Sequence, residues 1–102
     1  MQNIQKKVEH PYIIMRREGT QDVAVVKGTG VHVWAIVGYS KLGMNPGEII
    51  EALPHLSLAQ VYDVLSYYYD HREEIEKCLS ENKLSDGVVD ARQRKFTALM
   101  SN

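Results

Sequence analysis

The chain has 102 residues, 44% of them apolar and 25% charged, which predicts one globular domain with a modest core and leaves no room for a second. Its 12 basic and 13 acidic side chains nearly cancel, so no chain-wide field draws it to nucleic acid, a membrane surface or an acidic substrate. A single cysteine, Cys78, excludes an internal disulfide; with no CxxC pair, no signal-like start and no apolar run near the roughly 20 residues of a membrane span, a soluble cytoplasmic protein is expected.

Residues 1–11 are polar and mixed in charge and end at His10-Pro11, where proline favours extended backbone; they read as a flexible arm. From Tyr12 to Val33 the texture is β. Tyr12, Ile13 and Ile14 open it, Glu18 to Asp22 are rich in turn formers, and Val23 to Val26 are β-branched apart from one alanine, so a short hairpin is predicted. Gly28-Thr29-Gly30 then breaks the pattern, and Val31-His32-Val33 can pair briefly before the first helix.

That helix, Val33 to Leu42, is apolar almost all round, which calls for burial, and Gly43 suits the left-handed residue that closes its carbonyl end. A second helix starts at Asn45, with Pro46 at its first position and Glu48 three residues after the cap; Pro54 stops it. Ser57 and Gln60 repeat the capping-box spacing for a third. Leu58, Val61, Tyr62, Leu65, Tyr68, Tyr69, Ile75 and Leu79 follow at three- and four-residue steps, with no glycine or proline before Gly87. One helix of about 33 Å is predicted, too long for the two before it to cover. Residues 12–80 thus form the domain, and 81–102 a tail or short helix in which Val89, Phe96, Leu99 and Met100 are the apolar positions offered to a partner.

Chemistry-bearing residues are few. His71, Glu74 and Cys78 share a helix face at i, i+3 and i+7, but one helix cannot close a tetrahedral site, so a solvated face is the expectation, with no metal and no cofactor. Cys78 has no identifiable base beside it. His10, His32 and His55 fall at turns or strand edges and read as ordinary polar surface. Gly-Thr-Gly lacks the flanking residues of a phosphate loop or a dinucleotide fingerprint.

Two capped helices around Pro54 raise the question of DNA. A recognition helix reads base edges with polar side chains in its first turns. Here Gln60 could pair with adenine and Ser57 could reach a phosphate, but Asp63, Glu48 and Glu51 repel the backbone. The basic groups lie elsewhere: Lys6 and Lys7, Arg16 and Arg17, Lys27, and Arg92, Arg94 and Lys95. A symmetric dimer could collect them, and the seam expected for it is Tyr68, Tyr69, Ile75 and Leu79.

From His10 to about Ile75 the chain resembles the prokaryotic family known as domain of unknown function 433. That family's pattern runs through a G-T-R-I turn, an apolar helix, G-x-S-x-E-E-I, Y-P-x-L-T and a Y-Y-x-x-H-x-E-E-I-like end. The corresponding stretches here are Lys27 to Val33, Gly43 to Ile50, Leu53 to Leu58 and Tyr68 to Ile75. The resemblance implies a mainly α fold with a small amino-terminal β-hairpin and a three-helix, homeodomain-like helix-turn-helix bundle. It also implies an antitoxin-like, non-enzymatic role beside a PIN-domain ribonuclease toxin. Gly30 departs from the pattern, which favours arginine after Gly-Thr. The expectation is a homodimeric protein-binding module that represses its own operon; the alternative is a stand-alone DNA-binding regulator.

Overall fold

The computed structural model describes residues 9–82. The tail positions Val89, Phe96, Leu99 and Met100, and the basic residues Lys6, Lys7, Arg92, Arg94 and Lys95, lie outside them.

Two antiparallel strands, β1 (Ile13–Glu18) and β2 (Gln21–Val26), pair in a register running from Ile13 opposite Val26 to Glu18 opposite Gln21. The connection is therefore only Gly19-Thr20, shorter than the five-residue turn expected, because Glu18 and Asp22 continue the ladder. Gly19 has φ +63°, the backbone sign that two-residue hairpin loops require. β2 buries Ala24, Val25 and Val26, with Ala24 and Val26 on the core face and Val25 on the opposite one, whereas β1 is the outer strand and leaves Ile14 and Met15 exposed. Val25 and His32 form a single antiparallel bridge, the brief pairing foreseen before the first helix.

Helix α1 (Val33–Lys41) is the centre of the molecule, touched by β2 and by all three later helices. Its all-round apolar sequence follows from that position: Val33, Ile36 and Val37 are buried completely and Trp34 nearly so. It ends as a Schellman motif, with Met44 N–H bonded to the Tyr39 carbonyl, Gly43 N–H to that of Ser40, and Gly43 at φ +98°. Helix α2 (Pro46–Ala52) and helix α3 (Leu58–Asp70) both start on complete capping boxes. Asn45 and Glu48 exchange bonds of 2.9 Å each way, and Ser57 and Gln60 bonds of 2.8 and 3.1 Å.

The third helix is not continuous. It stops at Asp70, and a fourth, α4 (Arg72–Asn82), begins after His71, whose φ −135°, ψ 48° lie outside the helical range. Neither glycine nor proline makes this break. The His71 carbonyl accepts the first bond of the new helix from Ile75 N–H, and Glu73 and Glu74 put negative charge in its first turn, where the helix dipole favours it. The change of direction seats Ile75 in the core at 1% exposure, with Cys78 and Leu79 packed against it. The far end expected to need an outside partner thus finds α1 of its own chain. The mainly α class with an amino-terminal hairpin holds, as a four-helix rather than a three-helix arrangement.

Gly30 has φ +75°, and a Cβ built there would stand 2.8 Å from Arg16 Nη1. Gly30→Ala is therefore expected to lower stability by about 1–2 kcal/mol, most of it from the left-handed backbone, since the guanidinium can swing aside. Denaturant unfolding checks this, and Gly28→Ala, at φ +82° with nothing within 4 Å of the added Cβ, is the comparison that isolates the backbone term.

Candidate functional surfaces

The residues proposed to touch DNA do not converge. Ser57 Oγ accepts from Gln60 N–H and Gln60 Oε1 accepts from Ser57 N–H, so the capping box engages both side chains. Arg16 lies on Glu18, and Arg17 Nη1 reaches Asp22 at 3.2 Å. As neighbours on one strand, the two arginines point to opposite faces of it. Lys27 is exposed just past β2. The first turns of α3 present Leu58 at 50% exposure and Tyr62 at 58%, apolar surface where a reading helix would carry hydrogen-bonding groups.

The expected dimer seam is also divided. Tyr68 and Ile75 belong to the protomer's own core, at 6% and 1% exposure, and Leu79 is half-buried beside them; Tyr69 alone faces out, at 66%. A helix that bends at His71 turns Ile75 away from the face that Tyr69 keeps. Tyr68 donates its hydroxyl to Glu76, which also receives Lys41 Nζ at 3.0 Å. These partners hold the Glu76 carboxyl below the usual range, Tyr68 contributing most, and Glu76 in turn raises the Lys41 ammonium. Lys41 and Arg72 sit over the Tyr68 ring at 5.7 and 5.5 Å. With Val37, Ser40, Leu65 and Tyr69 they line a cavity of about 300 Å³.

A second cluster was not foreseen. His10 is 9% exposed at its side chain, with Nδ1 3.3 Å from Asp63 Oδ1 and Nε2 2.8 Å from Asp70 Oδ2. Its ring meets Tyr67 edge-on, and His71 stacks on Tyr67 at 4.1 Å. Asp63 Oδ2 also accepts Tyr12 N–H at 2.8 Å. Tyr67 donates to Glu74 at 3.0 Å, and burial, reinforced by that carboxylate, pushes its phenol far up. His10 is thus no ordinary surface histidine. Nor is His32, whose Nε2 lies 2.9 Å from Glu18; that bond first, and Arg16 second, holds the Glu18 carboxyl below its ordinary value. The signal available in the sequence was Asp63, Tyr67 and Asp70 at i, i+4 and i+7, a helix stripe with two carboxylates and no cation of its own.

His71, Glu74 and Cys78 do not make a metal set. His71 ends α3 while Glu74 and Cys78 belong to α4. His71 Nδ1 and Glu74 Oε1 are 3.6 Å apart, and Glu74 is already engaged by Tyr67. Among the described residues, the ligand atoms that could gather round one ion are those of Glu9, His10 and Asp70, of which His10 and Asp70 already bond to each other. Cys78 borders a cavity of about 320 Å³ with Glu18, His32, Trp34 and Glu81. Burial, and then Glu74 and Glu81, pushes its thiol up, the opposite of nucleophile activation. No helix among the described residues is long and apolar enough to cross a membrane.

A family described as a protein of unknown function (DUF433) matches residues 23–68, from β2 to near the end of α3, so the family resemblance holds over that segment. No curated protein and no solved structure matches the chain.

Proposed function

From a family match that carries no assigned activity, we propose that this chain is a non-enzymatic, antitoxin-like protein-binding module of the cytoplasm, working as a homodimer and repressing its own operon. The observation that carries the reading is the start of α3. Its two polar candidates, Ser57 and Gln60, are engaged in capping, and its exposed positions are Leu58 and Tyr62. Such a surface suits a protein better than a phosphate backbone. The PIN-domain ribonuclease partner comes from the family resemblance. Co-expression with a PIN-domain protein encoded beside this chain, followed by affinity capture and an RNase assay, tests it: a stable complex with suppressed cleavage is expected, and free toxin at full activity would sink the role.

The alternative is a stand-alone regulator, favoured by the two formed capping boxes around the α2–α3 turn. Ser57→Ala tests whether the start of α3 makes the DNA contact that the regulator requires, since autorepression through the basic residues elsewhere does not use Ser57. A cap alone predicts a loss of about 1 kcal/mol of stability, with affinity for the chain's own promoter DNA unchanged. A drop in that affinity, on DNA whose retention falls steeply with salt, would support the regulator.

A further inference from the structure

We infer that Leu58, Tyr62, Leu65 and Tyr69 form the seam through which two copies of this chain associate, with their α3 helices side by side and parallel. The inference rests on the reading of α3 as a protein-contact helix. Loss of PIN-domain capture sinks the antitoxin role without touching self-association, whereas a monomer sinks the seam and the homodimer of that reading and leaves capture of the toxin to be read separately.

The four residues are spaced 4, 3 and 4 along α3, the a and d spacing of a helix that packs on another helix. On a 3.6-residue helix they fall within about 60° of one another. Their exposure is unusual for their type: Leu58 50%, Tyr62 58% and Tyr69 66%, with Leu65 half-buried between them. The inward positions Val61, Val64 and Tyr68 already anchor α3 to the core, so nothing among the described residues requires the outer row to be apolar.

The borders of the row point to a second copy as its occupant. One border carries Lys41 and Arg72, which share a cavity wall with Leu65 and Tyr69; Glu76 pairs with Lys41 there, so the border is cationic by the one charge of Arg72. The other begins with two small exposed residues, Ala59 and Ser66, and beyond them come Asp63 and Asp70. A two-fold axis along the helices sets the cationic border of each copy over the small residues of the other. Arg72 then approaches Asp70 of the second copy, whose side chain is 57% exposed and uses only Oδ2 on His10. Antiparallel packing would instead bring each cationic border against its like. Half to two-thirds of each tyrosine, plus the leucines and the border, amounts to about 400–600 Å² per copy, the low end for a specific interface, so association in the micromolar range is expected.

Sedimentation velocity on the full chain, up to about 100 µM, reads the dimer. Tyr62→Glu and Tyr69→Glu, each at an exposed position and each checked for an unchanged helical spectrum, are expected to weaken it by more than about tenfold. Lys77→Glu on α4 should leave it unchanged. Leu65→Cys in a Cys78→Ser background should form an intermolecular disulfide on mild oxidation, since a parallel pair sets position 65 against itself. A monomer throughout the range, or a dimer indifferent to both glutamates, overturns the seam. A dimer dissolved by the glutamates but never cross-linked through position 65 overturns the parallel setting.

Discussion

Ile75→Ala is expected to destabilise the protein by about 2–5 kcal/mol, which for a domain of this size lowers the melting temperature by roughly 10 °C or more. Ile75 is 1% exposed and is the buried residue by which α4 enters the core, beside the half-buried Cys78 and Leu79. Truncation removes three carbons where α1 and α3 are themselves fixed by other contacts, so the space cannot readily close. The decisive feature is concentration. A core residue costs the same at every protein concentration, whereas a residue buried between copies costs more as the sample is diluted. Thermal unfolding of wild type and variant at two concentrations tenfold apart should give parallel shifts. A penalty that grows on dilution would return Ile75 to an interface. Tyr69→Ala, on the exposed side of α3, is expected to change monomer stability by less than about 1 kcal/mol.

The contrast between Ile75 and Tyr69 explains how far the sequence could be read. Local chemistry was legible: both capping boxes, Pro46 at a helix start and Gly43 past a helix end all formed, because each depends on residues within four positions of one another. Periodicity also separated strand from helix correctly. It failed at His71, where the apolar spacing runs on without a breaker but the chain turns. Three- and four-residue steps continue across a break of one residue, so a pattern of apolar positions cannot distinguish one long helix from two that both face a core. That single error carried Ile75 into the expected seam. The exposed row of α3 was not legible: Leu58, Tyr62 and Tyr69 stood in the same periodic series as Val61 and Tyr68, because two apolar rows lie side by side on α3 and only the tertiary structure says which is covered.

Distance in sequence limited the rest. The hydrogen bonds of His10 reach across 53 and 60 residues, and no local pattern pairs a histidine before the hairpin with carboxylates on α3. The acidic stripe was visible in the sequence; the identity of its partner was not. The same holds for Gly30 and Arg16, which the hairpin brings together from opposite sides of the β segment.

His10→Ala should therefore have an effect well beyond that of a surface histidine, a loss of about 1–3 kcal/mol. Both ring nitrogens face carboxylate oxygens, Nδ1 that of Asp63 and Nε2 that of Asp70. Removal of the ring leaves Asp63, 11% exposed at its side chain, with Tyr12 N–H as its remaining hydrogen-bond partner. Alanine also uncovers the edge of Tyr67, against which the imidazole packs. A double-mutant cycle with Asp63→Asn separates the pair from the packing: a coupling of about 1 kcal/mol or more is expected, and strict additivity would reduce the cluster to a coincidence of neighbours. Hydrogen exchange supplies the second reading. Among the described residues Tyr12 N–H is held by Asp63, so its protection should fall in His10→Ala, while that of Val26, bonded to the Val31 carbonyl, should fall only as much as global stability does. A fall confined to Tyr12 and its neighbours would mean that His10 ties the start of the hairpin to α3, while the ladder with β2 keeps the rest of the strand in place.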